Sequence, residues 1–61
     1  MKYSEIHRKL KKAGCYMVGS NRHPKWYSPI TGKVFDTSHH DSEEAATGTV
    51  KSISKLSGVK L

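Results

Sequence analysis

A chain of 61 residues lies near the lower limit for folding without disulfide or metal staples. One domain over residues 1–61 is therefore expected, with a core too small to enclose a deep cofactor pocket. The one cysteine, Cys15, excludes an intramolecular disulfide and a C-x-x-C ligand pair. The net charge of +6 is concentrated: residues 1–33 carry eight Lys and Arg against Glu5 alone, whereas residues 34–61 carry three Lys against four acids. A positive field gathered in this way favours a phosphate backbone or an acidic protein partner, and otherwise only keeps a small protein soluble.

Residues 3–13 read as a helix. Tyr3, Ile6, Leu10 and Ala13 recur at three- and four-residue intervals and form one apolar stripe. Ser4 is an early cap, Gly14 a left-handed stop, and Lys9, Lys11 and Lys12 suit the negative end of the helix dipole. Residues 15–18 are short and apolar, which predicts a strand, and Gly19-Ser20-Asn21 is turn chemistry. Residues 25–28 and 33–37 predict two further strands around a tight turn at Pro29-Ile30-Thr31-Gly32. They pair as an antiparallel hairpin to which the first strand adds.

Residues 38–46 are polar and acidic, a loop in which Glu43 and Glu44 complement the dipole of the helix that follows. Thr47 is the expected cap of that helix. Val50, Ile53 and Leu56 line its apolar face, with Ser57 at the edge, and Gly58 ends it. The fold class is α+β: a small α-β-β-β-α domain whose three-stranded antiparallel sheet carries both helices on one face. No apolar run approaches the ~18 residues of a membrane span, and the chain opens on a charged helix instead of a signal peptide. The expectation is a cytoplasmic protein with no membrane partner.

The densest chemistry lies between Gly19 and Pro29, where Arg22, His23, Lys25, Trp26 and Tyr27 crowd together. An imidazole among cations can exchange protons with a ribose 2′-hydroxyl or a leaving oxygen, and Arg22 and Lys25 can stabilise the charge that develops on phosphorus. An ordinary exposed loop histidine is the plainer reading of His23. Because strand side chains alternate, one of Trp26 and Tyr27 joins the core and the other lies on the open sheet face, where it can stack on a base. His39-His40 with Asp41, Glu43 and Glu44 invites a metal reading, but adjacent loop histidines lack the i, i+4 spacing that aims two ligands together. No metal and no cofactor are expected. Cys15 is expected as a buried thiol.

Four stretches together resemble the HicA family of toxins from HicAB toxin–antitoxin systems. They are Tyr3-Ser4-Glu5-Ile6 running to Leu10-Lys11-Lys12-Ala13-Gly14; Gly19-Ser20 with His23-x-x-Trp26-Tyr27-Ser28-Pro29; Ile30-Thr31-Gly32-Lys33; and Thr47-Gly48-Thr49-Val50-Lys51-Ser52-Ile53 with Leu56-Ser57-Gly58. The resemblance implies a double-stranded-RNA-binding-domain-like fold and an mRNA-cleaving endoribonuclease neutralised by a HicB-like antitoxin. The family's catalytic histidine falls on His23 and its loop histidine on His40. Lys9, Lys11, Lys12, Arg22 and Lys25 then bind RNA, with Trp26, Tyr27 and His40 as supporting groups. In this chain Asn21 and Arg22 stand between Gly19-Ser20 and the histidine, and Pro24 biases His23 towards an extended backbone. Cys15 replaces the family's usual aromatic. A non-catalytic double-stranded-RNA-binding module shares the same fold and basic surface without needing His23, and an accessory protein that docks an acidic partner needs neither.

Overall fold

The computed structural model describes residues 1–20 and 22–61. The order is α1 (Tyr3–Lys12), β1 (Tyr16–Ser20), β2 (Pro24–Ser28), β3 (Lys33–Asp36) and α2 (Thr47–Ser57). The strands form an antiparallel sheet in the order β1-β2-β3. Both helices turn their apolar stripes to one face of it, where Ile6, Leu10, Cys15, Trp26, Phe35, Ala45 and Ile53 make the core. The α+β class and the α-β-β-β-α order are as the sequence predicts.

The ends of α1 show what local sequence can and cannot dictate. Gly14 has φ 97°, and the Cys15 and Gly14 amides donate to the carbonyls of Leu10 and Lys11 at 2.9 and 3.1 Å. That pair of bonds closes the helix as a Schellman motif, which glycine makes accessible. The other end differs from expectation. Ser4 lies inside the first turn, and the residue at the cap is Lys2, which makes no side-chain capping bond. The free amides of Tyr3 and Ser4 instead donate to the carbonyls of Glu43 and Asp41, at 3.1 and 3.0 Å.

Strand limits differ slightly from the sequence reading. Cys15 precedes β1, while Gly19 and Ser20 belong to it, and the expected turn residue Asn21 lies outside the described residues. β1 carries a bulge at Val18, since Met17 pairs with Trp26 and Gly19 with Lys25. Register then settles the alternation of β2. Trp26 opposite Phe35 is buried on the helix side, and Tyr27 opposite Tyr16 and Val34 faces the open side.

The β2–β3 turn spans residues 29–32, closed by the Gly32 amide donating to the Ser28 carbonyl at 2.8 Å. The C-terminus of α2 docks on it. Thr31 Oγ1 donates to the Leu56 carbonyl at 2.6 Å, and the buried Ser28 hydroxyl donates to the Ser57 carbonyl. Gly58, with φ 72°, ends α2 so close to the turn that a Cβ there would stand 2.8 Å from Ile30 Cγ2. At its other end α2 is capped by Ala46, one residue before the expected Thr47, without a side-chain bond.

Candidate active site

His23 is exposed in the bend that leads into β2, between exposed Arg22 and buried Pro24. Beyond Pro24 a cleft of about 410 Å³ opens between α1, the start of β2 and the β3–α2 loop. Arg8 and Lys11 line it from α1, Met17 from β1, and Ser38, His39 and Asp41 from the loop. His7 and Trp26 form its floor.

The sequence-predicted residues divide between two faces. Lys11 lines the cleft from α1, and Pro24, one residue after His23 in the chain, lines it from β2. Lys25 projects to the open sheet face, where its cross-strand partner is Asp36 and its neighbour on β2 is Tyr27. Tyr16 and Tyr27 are adjacent there, their ring centroids 5.5 Å apart. Lys12 is exposed and Lys9 half-buried. Trp26 is fully buried, which leaves Tyr27 as the β2 aromatic on the open side. His40 points away, its side chain 73% exposed and its Nδ1 3.8 Å from Glu43. His39, the other histidine of the loop, is the one that reaches the cleft.

Glu43 and Glu44 precede α2, but their carboxylates face other partners, that of Glu43 lying 3.8 Å from His40 Nδ1. Glu44 pairs with the Met1 ammonium at 2.6 Å, and its backbone forms an isolated antiparallel β-bridge with Lys2. The hydrogen bond and charge of that ammonium hold the Glu44 carboxyl below the ordinary carboxylate value. Cys15 is a buried thiol. Among the described residues no three His, Cys, Asp or Glu side chains converge as metal ligands.

Sequence reading missed a polar group bonded at both of its nitrogens, His7. Its Nδ1 lies 3.0 Å from Asp41 Oδ1 and its Nε2 2.9 Å from Thr37 Oγ1, and its side chain is only 15% exposed. Trp26 Nε1 donates to the same Thr37 oxygen at 3.1 Å, and the two rings stack with centroids 5.4 Å apart. Donor counting orients the chain. The indole can only donate and the ionised carboxylate only accept, so the Thr37 hydroxyl donates to His7 Nε2 and a neutral His7 carries its proton on Nδ1. One signal was present: His7 stands four residues after Tyr3 and three before Leu10, at the edge of the apolar stripe.

A small basic α+β protein with an exposed imidazole one residue before the lining of a cation-bearing cleft is the class that fold and site define. The chain belongs to the HicA toxin family: the family model described as "HicA toxin of bacterial toxin-antitoxin" matches residues 3–59 of the 61. It is accordingly a toxin of a toxin–antitoxin system, a class that works with an antitoxin partner. No curated protein and no solved structure matches the chain. Among the described residues no helix is long and apolar enough to cross a membrane.

Proposed function

We propose that the protein is a metal-independent endoribonuclease that cleaves mRNA, with His23 as its proton-transfer residue, and that a HicB-like antitoxin neutralises it. The observation that carries this reading is the exposed His23 imidazole, one residue before Pro24 of the cleft, with Arg22 and Lys25 beside it in the chain. Cleavage of this kind needs only acid–base chemistry. The 2′-hydroxyl loses its proton to the imidazole and attacks the adjacent phosphorus, the bond to the 5′-oxygen breaks, and that oxygen takes up a proton. Arg22 and Lys25 stabilise the added negative charge on the phosphoryl oxygens. Lys9, Lys11 and Lys12 attract the strand, and Tyr27 offers a base a stacking surface on the open face.

His23→Ala is the deciding variant. It should abolish RNA cleavage by the purified protein and growth arrest on expression without antitoxin, while wild-type cleavage persists in EDTA. Cleavage undiminished in His23→Ala would sink the mechanism. Steeply salt-dependent binding to duplex RNA that is never shortened would instead identify a non-catalytic double-stranded-RNA-binding module.

A further inference from the structure

The cleft is built from four separate parts of the chain, with Met17 from β1, and one side chain joins the other three. α1 contributes Arg8 and Lys11, β2 contributes Pro24 and Trp26, and the β3–α2 loop contributes Ser38, His39 and Asp41. His7 sits on α1, bonds Asp41 at one ring nitrogen and Thr37 at the other, and stacks on Trp26. We propose that His7 is the positioning residue of this site, setting the separation of the cleft walls through its bonds to Asp41 and Thr37. The proposal rests on the ribonuclease reading for what the cleft engages, an RNA strand leading to His23.

The contacts around His7 explain why it, and not the helix alone, holds the loop. The loop also meets α1 through the Tyr3 and Ser4 amides, but those are backbone bonds at the first turn, where Ser4 marks one end of the cleft. Further along the helix, the His7 ring ties the loop beside Arg8 and Lys11. Both of its nitrogens are engaged, so His7 is not free to act as a base towards substrate.

The same geometry makes the position sensitive to the protonation of His7. With a proton on each nitrogen, His7 and Trp26 would both donate to Thr37 Oγ1, and the Thr37 hydroxyl proton would have to turn elsewhere. The charged or titratable groups around the ring are Asp41 and His39 from the loop and Arg8, Lys11 and Tyr3 from α1. Among the described residues, β1 and β2 line the cleft with Met17, Pro24 and Trp26, none of them titratable.

Two measurements on the full chain test this. In the first, the indole N–H resonance of Trp26 is followed by NMR from pH 5 to 8. It should shift with pH, because a second proton on His7 turns away the Thr37 hydroxyl proton beside the indole. It should do so in wild type and in His23→Ala, and stay fixed in His7→Gln, which keeps an acceptor for Thr37 but carries no charge. An indole resonance indifferent to pH in wild type, or one still titrating in His7→Gln, overturns the proposal. In the second, His7→Ala should raise the KM for RNA roughly five- to tenfold, the loss expected from removing a hydrogen-bonded restraint, with kcat held within about twofold. His7→Gln should recover part of that loss. A fall in kcat at unchanged KM would overturn the positioning role. If His7→Ala does not fold, His7→Gln and Asp41→Asn take its place in the second measurement. Absence of any RNA cleavage by wild type sinks the ribonuclease reading, whereas a pH-inert indole sinks the role of His7, so the two failures are told apart.

Discussion

The two ends of β2 are secured by different chemistry. At the Ser28 end, neutral hydroxyls donate to the last carbonyls of α2, and Gly58 lets helix and turn approach closely. Nothing in that set of contacts titrates near neutral pH. At the Pro24 end, a histidine, a carboxylate, a hydroxyl and an indole form one chain beneath an open cleft, with His23 exposed next to it. The closed end supplies rigidity, and the open end holds the groups able to exchange protons. A protein this small separates the two tasks along a five-residue strand.

Substitutions should keep that division visible. Gly58→Ala is expected to cost most, roughly 2–4 kcal/mol, because a left-handed φ and an overlap with Ile30 add together. Chemical denaturation would measure it; a loss within experimental error would show that the turn yields easily and that the closed end is not rigid. Ser28→Ala deprives the Ser57 carbonyl and the Ile30 amide of their partner, for a loss of about 1–3 kcal/mol that should not vary between pH 5 and 8. A pH-dependent loss would erase the contrast between the ends.

Thr37→Val removes the hydroxyl shared by Trp26 and His7, at about 1–2 kcal/mol. The larger consequence should be spectroscopic, since the Trp26 indole would no longer report the protonation of His7. Equal pH responses in Thr37→Val and wild type would mean that ring stacking alone carries the signal. The smallest effect belongs to Glu44, whose carboxyl is held low by the Met1 ammonium. A depressed carboxylate stabilises the fold above its unfolded value near 4.5 and loses that contribution as pH falls through the lower folded value. Glu44→Gln should therefore flatten the acid limb of the melting curve slightly, most at low salt. Parallel acid limbs in the two proteins would show the exposed pair to be inert.

Local pattern determined much of this protein. The three- and four-residue spacing of Tyr3, Ile6 and Leu10, and of Val50, Ile53 and Leu56, located both helices. Gly14 and Gly58 marked their ends, and Pro29 to Gly32 marked the hairpin, because these features are encoded within a few residues. His23, flanked by cations, was conspicuous for the same reason.

Tertiary structure decided the rest. The choice between Trp26 and Tyr27 awaited the register that sets Trp26 against Phe35. The start of α1 is satisfied by loop carbonyls some forty residues away instead of by Ser4, and Glu43 and Glu44 were drawn towards the chain's beginning, away from α2. His7, Thr37 and Asp41 meet only when the loop after β3 closes on α1, across separations of 30 and 34 residues. Periodicity reports which face of an element is buried. It carries no record of which polar groups from distant segments will find each other there, because that depends on how the packed elements position their backbones.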